Sequence, residues 1–306
     1  MKRSWKRSCA HLKRRINLDV RIIKGSTCGF CTGVMRAIKL AREAAEGNGT
    51  VYTLGPVIHN PQVVEHLKKS KIIPVEDIKG LSEGDTVLIR SHGVTEEMEE
   101  DIRRKKLNLI DATCPKVKRA QKICKHLAED YSRVFIIGKS EHPEVQGILS
   151  RGSGKAKVIS TPEEAAAEER FSDAGILVQT TFRKEKFYEI VSEILKKGRI
   201  IKIDNTICEE TITRQEEVSD LSLKVDLMYV VGGKNSSNTK RLFEASGKNV
   251  RTLYIETPEE ITPGQLTGKK RIGIVSGAST PIDTVNRIEA QIKTELKKIQ
   301  KGRNQD

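Results

Sequence analysis

LNLIDATCPKVKRAQKICKHLAED, residues 107–130, decides how this chain folds. It opens on a short apolar run, LNLID (107–111), turns at Cys114, and continues as PKVKRAQKICKHLAED (115–130), whose apolar residues recur at helical spacing. Pro115 suits the first turn of a helix, because the N–H it lacks would find no partner there anyway. Strand, turn and helix in that order make half of a parallel α/β unit.

The same unit recurs on either side. GFCTGV (29–34) and DNTICEET (204–211) place Cys31 and Cys208 in equivalent turns, each after a short apolar run. Counting 28 residues on from Cys31, Cys114 and Cys208 reaches His59, His142 and Ser236, again in strand-end turns. Each third of the chain supplies one more such position, His92, Thr180 or Ser279. The alternation predicts strands over 20–24, 51–54, 86–90, 107–111, 133–138, 175–179, 200–204, 225–231, 250–255 and 271–276. Helices are expected over 34–46, 115–130, 184–197 and 281–299. A repeat of this kind predicts an α/β protein of three small parallel-sheet domains related by a pseudo-threefold axis, cut at 19–112, 113–204 and 205–292. Residues 152–174 and 256–270 read as loop-rich connections, and 293–306 as a charged, fraying C-terminal tail. All nine turn positions fall just past the C-terminal ends of strands, where open α/β sheets bind ligands. Three sheets can therefore aim their binding edges at one central cavity.

Composition narrows the field. Hydrophobic residues are 37% and charged residues 31% of the 306, and the apolar runs are far shorter than the ~20 residues of a membrane span. Six dispersed cysteines do not read as a secreted disulfide framework, so a reducing, cytoplasmic compartment is expected. The formal charge is +14, half of it in residues 1–18, a basic N-terminal extension without the apolar core of a secretory signal. Aromatic residues are 4%, with Trp5 the single tryptophan, which leaves little for nucleic-acid bases to stack on.

A thiol at a helix start meets unpaired N–H groups and a partial positive charge, which lower its pKa and offset the negative charge of a metal–thiolate cluster. Three thiolates at one axis suit an iron–sulfur centre, and three is one short of the usual four, which leaves one iron open. Buried cysteines acting as small hydrophobes, or a structural zinc site with one histidine, are the other readings. Neither needs a surrounding ring of donors. Cys28 makes a CxxC with Cys31 and is a candidate fourth ligand or redox partner, Cys124 reads as helix packing, and Cys9 lies in the basic extension.

His59, His92 and His142, with Thr180, Thr181, Ser236, Ser237, Asn238 and Ser279, bring donors to strand-end turns at helix starts, a general anion-binding device. GGKNSSNT (232–239) has neither Walker nor dinucleotide-fingerprint spacing. Each such turn alone is also an ordinary helix cap, and His11, His66 and His126 read as ordinary surface or core histidines. Glu144, two residues after His142, is either a helix-start glutamate held by the dipole or a desolvated acid with a raised pKa, ready to donate a proton.

GFCTGVMRAI, GPVIHNPQVVE, SHGV, DATCP, HPEVQG, QTT, DNTIC, GGKNSSNTKRL and SGASTP, in that order from about residue 19 to residue 292, resemble the 4-hydroxy-3-methylbut-2-enyl diphosphate reductase family of the non-mevalonate isoprenoid pathway. The resemblance implies one 4Fe-4S cluster on Cys31, Cys114 and Cys208, at the centre of three α/β domains. It puts the diphosphate on His59, His92, His142, Ser236, Ser237, Asn238 and Ser279, the substrate hydroxyl near Thr180, and proton delivery on Glu144. The implied reaction removes the C4 hydroxyl with two electrons and two protons, giving isopentenyl and dimethylallyl diphosphates and water. The open iron would bind the hydroxyl oxygen, and a ferredoxin or flavodoxin would supply the electrons. The basic extension and Cys28 depart from the family pattern. Beside this stand a basic nucleic-acid-binding protein with a structural zinc or iron–sulfur site, whose core would bind RNA in a salt-sensitive way, and a pure electron carrier, which would want a closed four-cysteine shell.

Overall fold

The computed structural model of the protein describes residues 20–303, apart from 48 and 59. Its first third runs β1 (Arg21–Lys24), α1 (Thr32–Glu46), β2 (Val51–Leu54), α2 (Pro61–Lys69), β3 (Ile72–Val75), β4 (Thr86–Ile89), α3 (Glu96–Arg104) and β5 (Asn108–Asp111). Then come α4 (Pro115–Asp130), β6 (Val134–Ile137), α5 (Pro143–Leu149), β7 (Ala156–Ile159), α6 (Pro162–Ala166), β8 (Phe171–Val178), α7 (Lys184–Leu195) and β9 (Gly198–Asp204). The last third holds α8 (Glu209–Ser222), β10 (Leu227–Val231), α9 (Ser237–Ser246), β11 (Thr252–Ile255), α10 (Pro263–Leu266), β12 (Arg271–Ser276) and α11 (Ile282–Arg303). Among the described residues no helix is long and apolar enough to cross a membrane.

The strands make three four-stranded sheets, ordered β3-β2-β4-β5, β7-β6-β8-β9 and β11-β10-β12-β1, with every pairing parallel. All three share one topology, second strand, first, third, fourth, and the third sheet takes its fourth strand from the start of the chain. The repeat is therefore circularly permuted. The sequential cut at 19–112 groups β1 with the first unit, whereas Arg21–Lys24 pair with Arg271–Ile274 and lie in the third sheet. A four-residue strand carries no local mark of its partner, so pairing is decided by the sheet edge that needs covering.

Other departures have equally local causes. Over residues 293–303 the predicted tail is instead the continuation of α11, with Leu296 and Ile299 packed on the third unit's core and Glu295 buried. Its apolar residues keep helical spacing beneath the charge. β3 and β7 were not expected as strands. Both are edges; Pro74 in β3 cannot donate to a ladder, which is tolerated only there, and β7 lies in the expected connection 152–174.

The layering explains where the cysteines go. In VFII of β6, Phe135 and Ile137 meet α6 and α7 on one face while Val134 and Ile136 meet α4 and α5 on the other. Burial on both faces is why such strands read as continuous apolar runs. The pattern repeats: α1 and α2 cover the first sheet, α4 and α5 the second, α8 and α9 the third. Each helix that follows a cysteine thus leaves one sheet and packs on the next. Cys31, Cys114 and Cys208 sit at the three crossings between units, which brings all three to the axis.

Candidate active site

Each of the three cysteines is the N-cap of its helix, α1, α4 or α8. Their amides donate to equivalent carbonyls: Cys31 to Ala278 at 3.0 Å, Cys114 to Ser91 at 3.0 Å and Cys208 to Thr180 at 2.8 Å. Those carbonyls lie two residues past β12, β4 and β8, the third strand of each sheet. The same register makes Thr180 the counterpart of Ser91 and Ala278, so Thr181, rather than Thr180, matches His92 and Ser279.

All three cysteines line one cavity of about 110 Å³. Gly33 preserves room for the thiols, since a Cβ there would come within 2.7 Å of Cys114 Sγ and 4.0 Å of Cys31 Sγ. Burial pushes the Cys31 and Cys114 thiols up, and the opposing amides of Val34 for Cys31, and of Lys116 and Val117 for Cys114, do not overcome it. The helix starts act in the expected direction, but desolvation wins. Among the described residues no three His, Cys, Asp or Glu side chains close on a point that would hold a single metal ion; the thiols are arranged around a space instead. Cys28 stays out of the cavity, packed in the third unit's core near the Ile274 carbonyl, where burial pushes its thiol up to about 11. Cys124 is fully buried in the second core, as its helical position implied.

The other donors come from the turns after the first and third strands. His142 caps α5 and accepts from the Glu144 amide at 3.2 Å, and its ring lies edge-on to that of His92, 5.5 Å between centroids. Ser236 caps α9 through the Thr239 amide at 3.3 Å. Ser237 Oγ and both polar atoms of Asn238 are buried without any partner. Orphan groups of this kind cost about 1–3 kcal/mol each, a cost that a polar ligand removes. Ser279 also lines the cavity, its carbonyl accepting from Asn60 Nδ2 at 3.2 Å. Asn60 is the N-cap of α2; His59 lies outside the described residues.

Glu144 is 2% exposed in the first turn of α5, and its carboxylate accepts from the Thr180 amide at 2.6 Å. Burial raises its pKa, opposed by the Thr180 hydrogen bonds and by Arg241. The burial that the desolvated-acid reading requires is present. Arg241, unremarked in the sequence, is buried on α9; it donates to the Thr181 carbonyl and hydroxyl and stacks on Phe182, 5.3 Å from the ring centroid. A second buried arginine, Arg214 of α8, lines the cavity. Its signal was a charge in the stripe shared with Val218 and Leu221.

Fold and site together define a three-unit parallel α/β enzyme with three cysteines and a set of mostly uncharged donors facing one axial cavity. The chain belongs to the LytB protein family, whose model matches residues 22–293. It is 43% identical over 273 residues to the 4-hydroxy-3-methylbut-2-enyl diphosphate reductase of Geobacter sulfurreducens, covering 89% of this chain and 96% of that one. With the enzyme of that name from Aquifex aeolicus it shares 45% over 280 residues, covering 90% and 96%. Among solved structures, an (E)-4-hydroxy-3-methyl-but-2-enyl diphosphate reductase superposes with a TM-score of 0.68 at 43% identity, covering 90% of this chain and 99% of that one. The Plasmodium falciparum reductase gives 0.85 at 26% identity, covering 89% and 87%.

Proposed function

We propose that this protein is a cytoplasmic 4-hydroxy-3-methylbut-2-enyl diphosphate reductase, with a 4Fe-4S cluster on Cys31, Cys114 and Cys208 and electrons from a ferredoxin or flavodoxin. One observation carries the reading: three equivalent N-cap cysteines share a cavity with buried polar atoms of Ser237 and Asn238 that no protein group satisfies. The donor set fits the cluster, because soft thiolates are its ligands and Gly33 leaves them room. When bound, the cluster supplies electrons and a Lewis-acidic open iron for the substrate hydroxyl.

The chain's own residues account for the rest. His59, His92, His142, Ser236, Ser237, Asn238 and Ser279 hold the diphosphate, mainly by neutral donors that cost little to bury when the anion is absent. Glu144, whose proton affinity burial raises, gives a proton to the departing oxygen, so that water leaves rather than hydroxide. Thr180, whose amide holds the Glu144 carboxylate, fixes that acid beside the substrate hydroxyl. The balance is two electrons and two protons taken up for each carbon–oxygen bond broken and each water released.

The test is turnover by anaerobically prepared protein with a chemical reductant, the products being separated by chromatography. Isopentenyl and dimethylallyl diphosphates are expected. Iron-loaded protein that binds the substrate and converts none of it would overturn the reading.

A further inference from the structure

Arg214, six residues past Cys208 on α8, is 4% exposed and lines the cavity. Its guanidinium donates only to backbone carbonyls, Nη1 to Ser276 at 3.3 Å and Nη2 to Gly29 at 3.0 Å, and its buried Nε has no partner. Among the described residues no carboxylate forms an ion pair with it. Of the acids one turn away, Glu210 lines the same cavity and accepts from the Thr32 amide and hydroxyl, and Glu217 accepts from the amides and hydroxyls of Ser26 and Thr27; neither pairs directly with Arg214.

The other buried arginines are not in this position. Arg151 pairs with Glu96 at 3.0 Å and Glu99 at 2.6 Å, and Arg241 has the carboxyl groups of Glu144 and Glu244 nearby. A buried cation without a direct ion-pair partner is costly, and proteins keep such groups paired. A further negative group in the cavity would give Arg214 the direct partner it lacks. The two carbonyls it holds belong to the turn leading into Cys31 and to the end of β12.

We propose that Arg214 is the counter-charge of the cysteine site, a positioning residue whose fixed cation stabilises the negative charge added when the metal–thiolate group there accepts an electron from its donor. The inference rests on the cluster proposed above. Net charge around an iron–sulfur centre is one of the quantities that set its reduction potential. Removing the cation should make the centre harder to reduce, whereas a lysine at the same place keeps the charge and gives up the forked grip on the two carbonyls.

The experiment compares anaerobically loaded parent protein, Arg214→Lys and Arg214→Met by iron and sulfide content, thermal melting and reductive titration followed by electron paramagnetic resonance. All three are expected to hold the cluster. The potential should move to more negative values in Arg214→Met and stay near the parent in Arg214→Lys, while both melt somewhat earlier. An unmoved potential in Arg214→Met with intact iron overturns the proposal. So does an equal shift in both variants, which would follow the lost carbonyl bonds rather than the charge. If Arg214→Met retains no iron, Arg214→Gln takes its place with the same two readings. Parent protein free of iron and sulfide would instead overturn the cluster itself, an outcome the first measurement distinguishes.

Discussion

The turns after the fourth strands and the turns after the first and third strands line the same cavity, yet they repeat with different fidelity. The former carry cysteine three times, at a helix N-cap, with the amide on an equivalent carbonyl. The latter carry histidine, serine and threonine in no fixed pattern, and the N-cap itself slips to Asn60 in the first unit. Like ligands are needed where one compact group is gripped from three sides. Unlike donors suit an elongated molecule whose two ends differ, so the repeat survives where the ligand is symmetric and is lost where it is not.

The largest effects should come from breaking the symmetric half. Serine at Cys31, Cys114 or Cys208 is expected to abolish iron retention and turnover alike, and a variant with full iron would remove that cysteine from the set. Next, Glu144→Gln should lower kcat by roughly 10²–10⁴-fold, the usual worth of a positioned acid, with substrate affinity nearly unchanged; unaltered turnover would end its proton-donor role. On the asymmetric wall, Asn238→Ala removes one donor set to a charged ligand, about 1.5–3 kcal/mol, so KM should rise by roughly 10–100-fold at normal iron content. Gly33→Ala tests the shared space directly. Its Cβ would meet Cys114 Sγ at 2.7 Å, so iron content should fall despite a gain in helix propensity of about 1 kcal/mol. Cys28→Ser should change least, keeping all its iron and costing about 1 kcal/mol of stability, because its thiol belongs to the third core.

The raised pKa of Glu144 also has a stability consequence. The folded state binds its proton more tightly than the unfolded chain does, so the ionised carboxylate weakens folding as pH rises above the ordinary carboxylate range, and most fully above the raised value. Glu144→Gln should therefore melt above the parent at neutral pH in the metal-free protein. The gap should close as pH falls toward the ordinary carboxylate range, and a constant gap would contradict the burial origin of the shift.

Much of this was legible from residue order alone. Strand-end turns around Cys31, Cys114 and Cys208 located the axis, and continuous runs such as VFII located doubly covered strands. What was illegible depended on distant partners. β1 cannot announce that it closes the third sheet, β3 hides behind Pro74, and only the last turn of α11, beyond the expected end at 299, was hidden by its charge. Thr180 stands one place from its repeat equivalents because the end of β8 and its register cannot be read from the chain alone. Arg214 and Arg241 drew no notice in the sequence, and only the placement of α8 and α9 shows that they are buried.

Iron and sulfide analysis of anaerobically purified protein, with Mössbauer spectra before and after adding 4-hydroxy-3-methylbut-2-enyl diphosphate, tests the central claim most directly. About four irons per chain, with one iron site changed by the substrate, is the result expected of three cysteine ligands and one open iron. Zinc in place of iron, or a cluster indifferent to the substrate, would contradict it.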